Sequence, residues 1–227
     1  MRTGIRNTCY CCLLFAFVIE GVFNQVCLYN ETQIQEDFEL FQYTGTWFEF
    51  KWIPPPAIAK YDQYVDYTHT YQLKEDGNIQ VDILARERPE NKTCLHANAT
   101  LLTTGVPGKL LYKRNYLGEL LTSDYWIIHT DYSNYALAYG CQTLFTNGSC
   151  EVFDVWVWSR RPTLSSEYEV LADGFIRNRL CLDPATFDKT SQKRKCLQVP
   201  TSDAGRACAL GIQMVFLVKF LAHVNGV

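Results

Sequence analysis

The chain has 227 residues, a formal net charge of −3 and no long run of like charge. One substantial core of about 150 to 200 residues fits that length, and without a basic field nucleic-acid binding is not expected. Its 14 Tyr, 13 Phe and 5 Trp favour strands and apolar cavities over helix bundles.

In chain order, Arg2 and Arg6 precede the apolar run CYCCLLFAFVI, which is short for a membrane span and reads as a secretory signal over residues 1–21. An uncleaved anchor is the alternative. The folded body is expected over residues 22–201.

Eight strands are predicted in that body, from period-two alternation broken by turn residues. They are GTWFEFKWI, YVDYTHTYQL, NIQVDILAR, CLHANATLL, KLLYKRNYL, DYWIIHT, YALAYGC and EVFDVWVWS. Glu75-Asp76-Gly77, Pro107-Gly108 and Asn147-Gly148 supply turns. No helix-period segment separates the strands, which excludes βαβ units. One helix is predicted after Pro162, with Ser165 as N-cap and a stripe of Tyr168, Leu171 or Ala172, and Phe175. The expected fold class is all-β: an eight-stranded antiparallel up-and-down barrel with one helix packed outside.

TDYSNY, between the sixth and seventh strands, reads as a turn whose Asp131 and Asn134 bond nearby backbone N–H groups. A catalytic role for Asp131 would need a nucleophile or base close by, and no spacing supplies one.

Residues 202–227 hold small residues around Ser202–Gly205 and then ALGIQMVFLVKFLAHV. These are elements of a glycolipid (GPI) anchor signal, although Gln213 and Lys219 interrupt the apolar run. An ordinary apolar tail is the alternative.

Outside the two terminal segments stand Cys27, Cys94, Cys141, Cys150, Cys181 and Cys196. That even set, with no CxxC and no Cys/His zinc spacing, implies disulfides and an oxidising compartment rather than metal. Sequons at Asn30, Asn91, Asn98 and Asn147 point the same way. Leu95, Ala97, Ala99 and Leu101 share one face of their strand, so Asn98 falls on the other, solvent side.

Three separated motifs now coincide. Gly45-Thr46-Trp47 opens the first strand, Thr130-Asp131-Tyr132 precedes the seventh, and Arg160 follows the eighth. Together they resemble the lipocalin family, in particular the apolipoprotein D, Lazarillo and bilin-binding branch, over about residues 27 to 196. The resemblance implies that Arg160 lies across Trp47 at the closed end. It implies a Cys27–Cys141 bridge and leaves Cys94, Cys150, Cys181 and Cys196 with three pairings. That branch's second bridge, from the start of the second strand to the C-terminal segment, has no cysteine in AKYDQYVDY to form it.

If Trp47 faces inward, alternation puts Glu49 and Lys51 on the same face, with Val65, Tyr67, His69, Tyr71, Ile79, Val81 and Ile83 along one wall. Trp156 and Trp158 share Arg160's parity and also face in. The candidate ligand-binding residues are Glu49, Tyr67, His69, Tyr71, Val81, Trp156 and Trp158; the bland alternative is that the rings fill the core. The expected role is an extracellular, non-enzymatic carrier of a small hydrophobic ligand such as a bilin, retinoid, fatty acid or other lipid. A surface-anchored recognition glycoprotein is the alternative. No cofactor and no metal are expected, and nothing in the chain specifies an oligomeric state. Membrane attachment would use the C-terminus or the mouth loop, residues 53–59.

Overall fold

The computed structural model describes residues 34–53, 64–87, 93–116, 119–146, 150–194 and 196. The signal segment, the C-terminal tail, Cys27, Asn30, Asn91, Asn147 and the mouth loop beyond Ile53 lie outside them. A short helix, α1 (Leu40–Tyr43), leads into β1 (Gly45–Ile53). Then come β2 (Tyr64–Leu73), β3 (Ile79–Glu87), β4 (Cys94–Thr103), β5 (Lys109–Tyr116), β6 (Glu119–Thr130), β7 (Tyr135–Leu144) and β8 (Cys150–Ser159). Helix α2 (Ser166–Leu180), a 3₁₀ turn (Pro184–Thr186) and a two-residue strand, β9 (Asp188–Lys189), follow.

Each of β2 to β7 pairs antiparallel with the next, β8 pairs with β1, and β1 pairs back onto β2, closing an eight-stranded barrel; β9 pairs with Lys51 and Trp52 of β1, beyond the end of the β1–β2 pairing. Closure leaves two apolar layers. Inside the barrel pack Trp47, Tyr71, Val81, Leu101, Tyr125, Ile127 and Trp158. Between barrel and helix pack Trp126, Ile128, Leu137, Val155, Val157, Ala172 and Ile176. Successive residues of β6 and β8 alternate between these layers, as the pleat requires.

Helix α2 begins after Ser165, whose hydroxyl makes no cap hydrogen bond; its carbonyl accepts the Glu169 N–H at 3.0 Å. Glu167 and Glu169 in the first turn and Arg177 and Arg179 in the last complement the helix dipole. Ala172 and Ile176 carry the buried stripe, while Leu171 is exposed.

Two bulges alter the expected faces. One lies between Glu49 and Lys51 in β1, the other between Val65 and Thr68 in β2, where Asp66 adopts φ 54°. Each inserts a residue and reverses the inward parity beyond it. Lys51 therefore leaves the barrel interior: its ammonium meets Asp173 at 2.5 Å and Glu169 at 3.5 Å on α2.

The Cys27–Cys141 pairing is corrected. Cys141 bonds Cys150 across the irregular end of the β7–β8 hairpin, and Cys94 bonds Cys196. Cys181 is disulfide-bonded as well. The C-terminal segment is thus tied to β4, where the sequence offered no cysteine on β2.

Candidate functional site

At the closed end the three motif segments meet. The Arg160 guanidinium lies 3.7 Å over the Trp47 ring. It also donates to the carbonyls of Tyr132 (2.8 Å), Gln42 (2.9 Å) and Thr46 (3.2 Å). Trp47 in turn donates its indole N–H to the Tyr43 carbonyl at 2.8 Å. Asp131 accepts the backbone N–H groups of Ser133, Asn134 and Tyr135 on one oxygen and the Asn134 amide on the other. Burial pushes its carboxyl up, but those donors outweigh it and hold it below the usual range. Thr130 bonds the Tyr135 carbonyl, and the Tyr132 hydroxyl accepts the Glu39 N–H. These contacts hold the turn and plug the end of the barrel. All of Asp131's acceptor capacity goes to its own turn.

Above the plug an aromatic floor fills the interior. Hydroxyls and imidazole form a string: Tyr43 to Tyr125 (3.3 Å), Tyr125 to Tyr71 (2.9 Å), Tyr71 to His69 Nδ1 (2.9 Å) and His69 Nε2 to Tyr67 (3.4 Å). Trp158 lies against His69 at 4.5 Å between ring centroids. Burial first, then the positive charge of Arg114, lowers His69 to about 3, so the imidazole is neutral. Burial raises Tyr43, Tyr67 and Tyr71, and takes Tyr125 up to about 12, so the phenols stay protonated.

The open half is different. A cavity of about 30 Å³ lies against Ile83, Ala85, Leu95 and Ala97 on β3 and β4, room for about two waters. Tyr64 and Tyr67 of β2 and Arg114 of β5 complete its lining. The β2 bulge explains why Tyr64, and not Val65, joins Tyr67 there. Arg114 faces inward in step with Leu110 and Tyr112, which belong to the interior layer, and is only 7% exposed. The sequence reading passed over it, although the alternation Leu110, Tyr112, Arg114 in KLLYKRNYL marks it.

The candidate ligand residues divide. Tyr67 lines the cavity; His69, Tyr71 and Trp158 belong to the filled floor, and Val81 is buried in the same layer. Trp156 is partly exposed, stacks on Trp158 at 6.5 Å and lies 5.8 Å from Tyr125. It fits because Gly140 on β7 has no side chain: a Cβ there would stand 3.1 Å from the Trp156 ring. Glu49 accepts the Thr190 hydroxyl at 2.5 Å and so engages the C-terminal segment. Asn98 is exposed on β4.

That segment closes a gap in the wall. Strands β1 and β2 pair only from Gly45–Phe48 to Thr68–Tyr71. Beyond, the Gln192 amide donates to the carbonyls of Glu49 (3.0 Å) and Tyr67 (2.9 Å), bridging the separated strands. Thr190 N–H donates to Phe50, and Asp66 N–H to Ser191.

Comparison with known proteins supports this geometry. Residues 38–178 match a family model described as a lipocalin-like domain. Apolipoprotein D of Oryctolagus cuniculus is 32% identical over 67% of this chain and 77% of its own length. Retinol-binding protein 4 of Gallus gallus is 28% identical over 75% and 88%. Insecticyanin of the tobacco hornworm Manduca sexta has a similar fold, with a TM-score of 0.57 at 18% identity over 70% of this chain and 82% of its own.

Proposed function

The chain belongs to the lipocalin family, and we propose that it is a secreted, non-enzymatic carrier holding one small hydrophobic molecule in the open half of its barrel. The observation that carries this is the division of the interior. The closed half is filled by rings, while the open half has a small-residue wall, Ala85 and Ala97, facing a cavity. Similarity to proteins named apolipoprotein D and retinol-binding protein 4 supports the same reading. Apolar burial of about 25 cal/mol per Å² supplies the affinity, and a few polar groups set orientation. A bilin, a retinoid and a fatty acid are the ligand classes to try. Disulfides and the exposed Asn98 sequon accord with an extracellular glycoprotein. Native mass spectrometry of the secreted protein with each class tests the proposal. A one-to-one complex supports it; an unliganded mass across the panel counts against it.

A second reading, a GPI-anchored surface glycoprotein in which ligand binding is secondary, is favoured by the small cavity volume. Release from cells by a phosphatidylinositol-specific phospholipase, together with an empty barrel, would support it.

A further inference from the structure

We infer that residues 64–67 of β2, 83–87 of β3 and 94–99 of β4 form a hinged panel of the barrel wall, and that the cavity reaches ligand size when this panel swings outward. This rests on the carrier reading and says how its site admits a ligand.

The closed volume sets the problem. Sites for small organic ligands span about 300–1,000 Å³, whereas the cavity holds about 30 Å³. Turning one side chain does not close that difference, so part of the wall has to move. Among the described residues, six of the seven that line the cavity lie on the panel: Tyr64, Tyr67, Ile83, Ala85, Leu95 and Ala97. Arg114 of β5 is the seventh.

The ladders mark where the wall can part. Among the described residues, β1 pairs with β2 only as far as Thr68, and β4 pairs with β5 only from Thr100 to Thr103. Above those points β1 still pairs with β8, and β5 with β6, so both neighbours stay fixed to the rest of the barrel. Within the panel the ladders run on. Tyr64 and Val65 oppose Glu87 and Arg86, and residues 94–99 oppose residues 81–86. The Asp66–Arg86 ion pair at 3.0 Å adds a second tie between β2 and β3. Three strands bonded to one another, with the ladder interrupted on either side, move as one body. The intact pairing below Thr68 and Thr100 supplies the hinge. The Val65–Thr68 bulge sits at that line, where the strand is already bent and its pairing broken.

The C-terminal segment latches one edge of the panel. Asp188, Lys189 and Thr190 belong to β1, through the β9 pairing and the Thr190 N–H bond to Phe50. Lys193, Arg194 and Cys196 belong to the panel, through Asp66 and the bridge to Cys94. Gln192 joins the two sides. Its amide donates to the carbonyl of Glu49 on β1 at 3.0 Å and to that of Tyr67 on the panel at 2.9 Å. Opening separates these carbonyls and breaks the Gln192 bridge, while the backbone between Thr190 and Lys193 limits the swing.

The test is ¹⁵N relaxation dispersion on the unaltered secreted protein without ligand, which detects minor states on the μs–ms scale. Panel residues should exchange at one shared rate, while β7 and β8 stay flat. A flat panel, or unrelated rates on its three strands, overturns the inference. Gln192→Ala should raise the open population about five-fold, the worth of one net hydrogen bond. An unchanged population in the folded variant overturns the latch. Saturation with retinoic acid or a long-chain fatty acid should move the panel resonances toward their minor-state positions. A probe that binds without moving them overturns the panel and leaves the carrier reading standing. If the panel exchanges but neither probe binds by native mass spectrometry, the carrier reading fails and the panel's role falls with it.

Discussion

Asp66, at the bulge of β2, holds Lys193: its Oδ1 accepts the Lys193 N–H at 2.6 Å and the Arg194 N–H at 2.8 Å, while Oδ2 pairs with Arg86 at 3.0 Å. One buried carboxylate thus fixes the C-terminal segment beside the gap between β1 and β2, and the Cys94–Cys196 bridge ties down its end. Asp66 also tolerates φ 54° better than most residues.

Replacing Cys94 and Cys196 together by Ser should lower stability by about 2–5 kcal/mol, since the bridge spans 102 residues. Amides of residues 188–194 should lose hydrogen-exchange protection before those of β3 and β4. Simultaneous loss of protection across the barrel would show that the segment is not a separate element.

Arg160→Ala removes three donors to backbone carbonyls and the cation over Trp47. Chemical denaturation should show a loss of roughly 2–4 kcal/mol. Arg160→Lys should recover little, because a point charge cannot reproduce the fork. Full recovery would mean that charge alone matters there.

Acid should weaken the fold through His69. Its folded value, about 3, lies below the ordinary 6.5, so the unfolded chain takes up a proton that the folded one refuses. This contribution is complete above pH 6.5 and is lost as pH falls below it, by about 1.4 kcal/mol per unit, levelling off near 3. Between pH 7 and 5, His69→Gln should reduce the fall in urea-measured stability by about 2 kcal/mol. An equal fall in both proteins would rule out His69 as the source.

Lys51→Met tests the outward turn of β1. The ammonium is buried between Asp173, Glu169 and two phenylalanine rings. Because both carboxylates retain some exposure, the cost should be roughly 1–3 kcal/mol, short of that for a fully buried pair. Ligand affinity should not change; a large change would place Lys51 at the cavity.

These residues also mark what the sequence could convey. Alternation along NIQVDILAR and DVWVWS was enough to place Ile79, Val81, Ile83, Trp156 and Trp158 inside, because regular pleating ties parity to burial. It failed at Lys51 and Val65. The bulges there lie where the C-terminal segment bonds Phe50 of β1 and Asp66 of β2 from more than a hundred residues away, a partner that local alternation does not reveal. Residues 119–123 of β6 carried too little alternation to be read as strand. The Cys141–Cys150 pairing depends on a local irregularity of the β7–β8 hairpin that no spacing encodes. The filling of the closed half depends on ring packing, which periodicity does not resolve.

The most direct test of the carrier account is a tryptophan fluorescence titration of the secreted protein with biliverdin, retinoic acid and a long-chain fatty acid, repeated on Trp156→Phe. Trp156, packed against the interior layer, is partly exposed, while Trp47 and Trp158 are fully buried. The account predicts saturable quenching by at least one probe, most of it lost in the variant while binding persists by native mass spectrometry. Flat titrations in both proteins with every probe would contradict it.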